Sequence, residues 1–173
     1  EHVIKKMFGK DYKVVHELKG SQLEGLKYVH PFEKEIPLFR EIKNSKLHTV
    51  LLSEEYVDDV SGTGIVHTAP GCGPEDYEVG HKNHLPPFNT VDEKGIAHNL
   101  GPFTGLKART QDAQFTVLFE EKGAVVAKES YTHDYPHDWR SHEPVIFRAT
   151  RQWFFKVEDM KERMIAANNK VKW

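Results

Sequence analysis

The sequence predicts an α+β fold that is mostly β, a mixed sheet or barrel with about three helices. Short β-branched runs bounded by Gly, Pro and Asp recur along the chain, which is typical of strands joined by turns. The segments with helical periodicity are few and do not alternate regularly with these runs, which disfavours a series of βαβ units. A length of 173 residues with 38% hydrophobic content fits one soluble domain with a core.

The first part of the chain is expected to be rich in strands. Proline disfavours central strands, so the segments 30–32 and 36–39 are predicted to be edge strands or extended loops. The other elements expected before residue 70 are strands at 12–18, 48–53 and 64–68, a short turn or helical piece at 20–25, and a turn at 58–62.

Three helices are predicted from capping residues and periodicity. The first starts at Pro74 and runs to about Asn83, because proline is tolerated at the first helical position and acids suit the first turn. The second is capped by Asp112 and stopped by Gly123. The third carries an apolar stripe that is expected to pack against the core, formed by Val157, Met160, Met164 and Ile165.

The remaining segments are loops and strands. Residues 89–105 are predicted to be a loop with a turn at 92–95. Strands are expected at 124–128, 145–149 and 152–157, with an aromatic-rich loop at 133–140.

Composition excludes several classes of protein. A net charge of −2 argues against a polybasic nucleic-acid binder or a membrane-surface protein. No apolar run approaches the roughly 18 residues that span a bilayer, so no membrane partner is expected. The single Cys72 rules out an internal disulfide and fits a cytoplasmic protein. Because the chain opens at Glu1 without Met, we expect it to be a piece of a longer protein.

The segment 62–77 is the candidate functional site. A β-branched run enters a stretch rich in Gly and Pro, and a helix start with paired acids follows. Glycines let a ligand approach the backbone closely, so His67 and Asp76 can face one small concave site. The alternatives are a plain strand–turn–helix corner, a helix-terminal acid that only favours the dipole, and a buried core histidine.

This segment, with its Gly-Thr-Gly-Ile-Val-His-Thr-Ala-Pro run and the following Gly-Pro-Glu-Asp-Tyr, resembles the editing (CP1) domain of class I aminoacyl-tRNA synthetases. The His-Thr-Ala-Pro run is most similar to the isoleucyl type. The segments 26–32, 135–140 and 145–154 agree with the resemblance, which covers nearly the whole chain. It implies a barrel-like editing domain over residues 1–150, and a returning ribbon and helix toward a catalytic core over 151–173.

The resemblance also implies roles for residues and partners. Asp76 would hold the α-ammonium of a misattached amino acid, and His67 would line the amino-acid pocket or position the attacking water. The expected substrate is valyl-tRNA(Ile), and the partners are the tRNA(Ile) 3′ end, its valine moiety and the rest of the synthetase. No cofactor is expected in this segment, while ATP and Mg²⁺ would serve aminoacylation in the parent enzyme. The residues expected to shape the substrate pocket are Gly64, Val66, Thr68, Gly71 and Gly73.

The chain departs from the family pattern at two places. It contains no threonine-rich peptide of the Thr-Thr-Pro-Trp-Thr type, so we expect the isolated chain to be weakly active or inactive in deacylation. Asp138 and Ser141 stand where many members have a Cys-x-x-Cys pair, so no metal site is expected. His133, His137 and His142 do not have a diagnostic metal-ligand spacing.

Three other interpretations stay open at this point. The chain is an inactive scaffold or tRNA-docking module, or the editing domain of a valyl- or leucyl-type synthetase, or a histidine-rich metal hydrolase unrelated to synthetases. No Ser-His-Asp or Cys-His arrangement is apparent, and Cys72 is expected to be a small loop residue rather than a nucleophile.

Overall fold

The computed structural model describes residues 2–58 and 62–172. Over these ranges the regular structure is helical. The five α-helices are α1 His2–Phe8, α2 Leu38–Glu41, α3 Pro74–Lys82, α4 Asp112–Glu121 and α5 Lys161–Asn168. Short 3₁₀ turns lie at Gly20–Gln22, Gly101–Phe103 and Glu158–Met160. The turn expected at 58–62 lies mostly outside the described residues.

The prediction of a mostly β, barrel-like fold is wrong for the described part of the chain. Backbone pairing there is limited to four isolated antiparallel bridges, and no strand is formed. The bridges join Lys27 to Thr49, Val91 to Ala97, Ile96 to Lys107, and His137 to Pro144.

The expected strands fail because a strand needs a paired neighbour as well as suitable residues. β-Propensity reflects how well a side chain fits a pleated, half-buried surface, and it does not supply the hydrogen-bonding partner. The apolar side chains of these segments are exposed instead, as with Val15 at 76%, Val66 at 60% and Val126 at 70%.

The hydrophobic core is small and lies between the 32–39 segment, the 100–106 turn and α4. Phe32, Ile36 and Phe103 are buried at its centre. The Phe32 ring meets those of Phe103 and Phe119 edge-on, with centroids 4.7 Å and 5.1 Å away. The partly buried residues around them are Leu38, Phe39, Leu100, Leu106, Phe115, Leu118 and Phe119.

The three predicted helices are found at their expected places, but Asp112 is the first residue of α4 and Gln111 is its N-cap, contrary to the prediction that Asp112 caps it. Pro74 opens α3 with Glu75 and Asp76 in the first turn, and α4 ends just before Gly123, whose φ is +64°. The short helical piece expected at 20–25 is the 3₁₀ turn at Gly20–Gln22. Helices α1 and α2 were not predicted. In α2, Pro37 is the N-cap, where its missing N–H costs nothing.

The apolar stripe near α5 does not pack against the core, contrary to the prediction. Val157, Met160, Met164 and Ile165 are 36–53% exposed. Every described residue from 150 onward is exposed. The division of the chain at residue 150 stays a prediction.

Candidate functional site

The glycine-rich turn before α3 has a backbone that only glycine permits at two positions. The Cys72 N–H donates to the Ala69 carbonyl oxygen at 2.8 Å and closes the turn. A Cβ on Gly71 would lie 1.9 Å from the carbonyl oxygen of Phe88. A Cβ on Gly73 would lie 2.8 Å from Oδ2 of Asp76. The turn therefore packs closely against residue 88 and leaves room for the Asp76 carboxylate to fold back over it.

Asp76 is half-buried in the first turn of α3 and accepts a hydrogen bond from the Ala69 N–H. Burial raises the pKa of Asp76, while the Ala69 hydrogen bond and the nearby His67 oppose that rise. A carboxylate held in this way is anchored through backbone N–H and still carries lone pairs for a cationic ligand.

His67 lies on the irregular segment that leads into the turn, and it is exposed. Its imidazole is near enough to act electrostatically on Asp76 and also on His30, whose pKa it helps to lower. His67 therefore lies within electrostatic reach of Asp76, whereas a shared site and their catalytic and binding roles stay predictions.

The other residues predicted for the site surround this pair at different depths. Gly64 and Val66 are exposed on the His67 segment, and Thr68 is half-buried. The φ of Gly64 is +74°, a left-handed conformation that favours glycine. Gly71 is buried and Gly73 half-buried in the turn. Gly71 and Gly73 thus shape the site with their backbone, while Gly64 and Val66 stand at its open side.

The segments 89–91 and 148–149 hydrogen-bond to each other, and the second also hydrogen-bonds to the turn. The Ala149 N–H donates to the Gly71 carbonyl oxygen at 2.9 Å, and the Asn89 side-chain amide donates to the Ala149 carbonyl. The Arg148 Nε–H donates to the Val91 carbonyl oxygen at 3.0 Å. These contacts join two segments that are about 60 residues apart in sequence, and residue 149 also contacts the turn that carries the site.

Cys72 behaves as the sequence predicts for a loop residue rather than a nucleophile. Burial raises the pKa of the Cys72 thiol, and Asp76 adds to the rise, although a hydrogen bond with Thr90 opposes it. The thiolate is the nucleophilic form of cysteine, so a raised pKa keeps this side chain unreactive.

A cluster of rings beside the site was not identified from the sequence. His30 stacks on His48 with centroids 5.3 Å apart, and Phe39 meets both rings. Nδ1 of His48 lies 3.0 Å from Oε2 of Glu33. Burial and the adjacent His48 lower the pKa of His30, with Glu33 opposing. The two histidines, His30 and His48, were the only available signal, and sequence spacing does not bring them together.

The histidines of the 133–142 loop make backbone contacts. Nδ1 of His133 lies 2.9 Å from the Asp134 carbonyl oxygen, and Nδ1 of His137 lies 2.7 Å from that of His142. Within residues 2–58 and 62–172, no group of three or more His, Cys, Asp or Glu side chains is arranged to hold a metal ion. The same residues include no helix that is long and apolar enough to cross a membrane.

Comparison with known proteins gives long matches at moderate identity. The isoleucine–tRNA ligase of Methanocaldococcus jannaschii is 40% identical over 167 residues, which is 95% of this chain and 16% of that protein. The isoleucine–tRNA ligase of Pyrococcus furiosus is 44% identical over 163 residues, or 92% of this chain and 15% of that protein. The isoleucine–tRNA ligase of Thermosynechococcus vestitus is 42% identical over 168 residues, covering 95% and 16%. No family model matches the chain.

Matches that extend over 90–100% of this chain place it among the aminoacyl-tRNA synthetases. Within that class, its sequence is that of a segment of the isoleucine–tRNA ligase family. The chain spans only 15–16% of the length of the relatives that it matches.

Proposed function

We propose that this segment is the editing part of an isoleucine–tRNA ligase and hydrolyses the ester bond of mischarged valyl-tRNA(Ile). The observation that carries the proposal is the half-buried Asp76 carboxylate, anchored by the Ala69 N–H and close to His67. The glycines at 71 and 73 support it, because a Cβ would collide with the Phe88 backbone at the first position and with the Asp76 carboxylate at the second.

Editing compensates for a physical limit on how well a binding pocket distinguishes isoleucine from valine. Isoleucine and valine differ by one methylene, and a hydrophobic pocket gains only about 1–3 kcal/mol from one methylene, or about 10- to 200-fold discrimination. A second site that admits the smaller side chain and rejects the larger one removes the remaining error. The editing site must therefore recognise features that any aminoacyl ester presents and exclude by size.

Asp76 supplies the recognition of the common feature, the α-ammonium group. One carboxylate oxygen accepts a hydrogen bond from the Ala69 N–H, and the remaining lone pairs accept hydrogen bonds from the ammonium. A charge-assisted hydrogen bond of this kind fixes both position and orientation of the substrate. Only the ionised carboxylate can serve, so Asp76 must be deprotonated when the substrate binds.

His67 borders the same site from the exposed side, where a water molecule and the ester meet. In the hydrolysis a water oxygen bonds to the ester carbonyl carbon, and the bond from that carbon to the ribose oxygen breaks. The products are valine and a tRNA with a free terminal hydroxyl, which takes one proton of the water. His67 is suited to orient the water by a hydrogen bond or to narrow the pocket against a longer side chain.

The activity of the whole protein is also a proposal for this chain. By the names of its relatives, the parent protein would join isoleucine to tRNA. The family resemblance adds tRNA(Ile) as the acceptor, a requirement for ATP and Mg²⁺, and the cytoplasm as the proposed location. No residue of this segment is assigned to ATP or Mg²⁺. The partners proposed for the segment are the tRNA 3′ end, its valyl group and the remainder of the synthetase.

The second candidate is a docking module whose chemistry needs other parts of the protein. The exposure of His67 favours it, because a histidine open to solvent is poorly placed to exclude a side chain by itself. A module of this kind would hold the tRNA end without recognising the aminoacyl group.

The deciding experiment compares Asp76→Ala with Glu75→Ala. Glu75 is an exposed acid in the same helical turn, so it controls for charge and for helix-dipole effects. Binding of a non-hydrolysable valyl-adenosine analogue is measured by calorimetry, and deacylation of Val-tRNA(Ile) is measured alongside. Loss of analogue binding in Asp76→Ala alone supports editing. Equal binding by both variants and the original chain would reject the role of Asp76 and leave the docking module.

A further inference from the structure

A row of rings occupies every second position from Tyr131 to Trp139. The row consists of Tyr131, His133, Tyr135, His137 and Trp139, with polar residues or proline between them. In an extended chain, residues two apart lie on the same side. The ring contacts agree as far as His137, with centroids 5.7 Å apart from 131 to 133, 5.9 Å from 133 to 135 and 6.4 Å from 135 to 137. Trp139 lies in the turn that follows. We call these five side chains the ring row.

The middle of the ring row is bonded to the 144–145 segment, and its two end rings are exposed. The Tyr135 hydroxyl donates to the Val145 carbonyl oxygen at 2.9 Å, and the bridge of His137 to Pro144 pairs the same segments. In front, Tyr131 is 79% exposed and Trp139 is 76% exposed. Tyr131 and His133 stack on each other, with their ring planes at 19°, and form a two-ring platform.

The charges around the ring row suit an anionic ligand with flat groups. The guanidinium carbons of Arg109 and Arg140 lie 4.4 Å from the ring centroids of Tyr135 and Trp139. Asp138 is occupied by its own turn, accepting from the Arg140 N–H, the Ser141 N–H and the Ser141 hydroxyl.

The other acids near the ring row leave its platform accessible. Glu129 pairs with Lys6 at the Tyr131 end, and Glu120 pairs with Lys128. Asp134 lies between two ring positions, on the side of the chain opposite to the rings. Arg109 and Arg140 thus lie over rings of the row, and Arg109 is also paired with Asp112, whose Oδ2 lies 3.9 Å from its Nη1. Glu129 and Glu120 are engaged with lysines.

We propose that the ring row binds unpaired nucleotides, whose bases stack on Tyr131 and Trp139 and whose phosphates lie near Arg109 and Arg140. Single-stranded nucleic acid is bound in this manner when aromatic side chains and cations line one groove. The identity of the nucleic acid rests on the proposed function, which makes it the single-stranded 3′ end of a tRNA. The stacking itself does not depend on hydrolysis at Asp76.

The test uses the 173-residue chain and a fluorescein-labelled eight-nucleotide RNA that ends in CCA, with a blunt duplex of the same composition as a competitor. Tyr131→Ala should weaken binding on the order of 10-fold, and Tyr131→Phe should restore it, because stacking needs only the ring. Trp153→Ala is the matched control, since Trp153 is a fully exposed indole away from the ring row. Circular dichroism checks that each variant keeps its helices.

A second readout reports on stacking directly. In the double variant Trp153→Phe with Trp173→Phe, Trp139 is the remaining indole, and the RNA should quench its fluorescence. Equal affinity for the duplex, no effect of Tyr131→Ala, or unquenched Trp139 would each overturn the proposal and indicate that the ring row packs on protein instead. Asp76→Ala separates the two proposals, since it should abolish analogue binding and leave RNA affinity unchanged.

Discussion

Replacing Gly71 by alanine tests whether close packing of the turn shapes the candidate site. The added Cβ would lie 1.9 Å from the Phe88 carbonyl oxygen and 2.7 Å from its carbonyl carbon, whereas real Cβ contacts stay above 3.0 Å. The turn or residue 88 must therefore move by at least about 1 Å. Overpacking of this kind costs about 1–3 kcal/mol of unfolding free energy.

The expected result is a lower melting temperature together with a weaker site. For a chain of this length, each kcal/mol lowers Tm by about 2–4 °C, so we expect Gly71→Ala to lose about 2–12 °C. Differential scanning calorimetry measures the loss. The displacement should also disturb the hydrogen bond from the Ala149 N–H to the Gly71 carbonyl oxygen, and with it the turn before Asp76. We therefore expect a lower affinity for the valyl-adenosine analogue.

Gly20→Ala is the matched control. Nothing lies within 4 Å of a Cβ built on Gly20, and its backbone is outside the left-handed region. Its Tm should equal or slightly exceed that of the original chain, because alanine reduces the entropy of the unfolded state. A Tm for Gly71→Ala within about 1 °C of that control would refute the packing argument.

Four further predictions concern the core and two carboxylates. Phe32→Ala should cost about 3–5 kcal/mol by chemical denaturation, while Phe154→Ala, at an exposed ring, should stay within about 0.5 kcal/mol. Because burial raises the pKa of Asp76, analogue binding should fall with decreasing pH sooner than for an ordinary aspartate, and a midpoint at or below 3.8 would contradict this. The same shift means that ionising Asp76 lowers stability as pH rises above 3.8, so Asp76→Asn should raise Tm at neutral pH but not in strong acid. Hydrogen bonds from His98 and the Ile96 N–H hold the pKa of Asp92 at about 2. The stabilisation from ionised Asp92 is therefore present above pH 3.8 and lost toward pH 2. Asp92→Asn should lower Tm only at the higher pH.

Three of the five α-helices in the described residues were predictable from sequence because their signals are local, whereas α1 and α2 were not predicted. Pro74 with two acids fixed the start of α3, and Gly123 fixed the end of α4. The spacing of Phe115, Leu118 and Phe119 predicted the face of α4 that packs against Phe32 and Phe103. The apolar stripe near α5 had the same kind of pattern and yet is exposed, since periodicity shows which face is apolar and not what covers it.

The candidate site was predictable in part for the same reason. His67 and Asp76 lie nine positions apart across one turn, and they are within electrostatic reach of each other, whereas that both face one site stays a prediction. The Ala69 N–H that anchors Asp76, the hydrogen bond of Thr90 to Cys72 and the proximity of His30 to His67 depend on chain folding. No spacing in the sequence indicates them.

By itself, the sequence determined the start of α3, the end of α4, the glycine-rich turn and the relationship to isoleucine–tRNA ligases, because each depends on neighbouring residues or on residue identity. Tertiary structure decided whether the β-branched segments found a partner, which segments support Gly71, and that the rings from Tyr131 to His137 contact one another in order. A strand ladder, a close backbone contact and an exposed surface each depend on groups far apart in the chain. Their free energy is therefore set by the folded arrangement and not by any local run of residues.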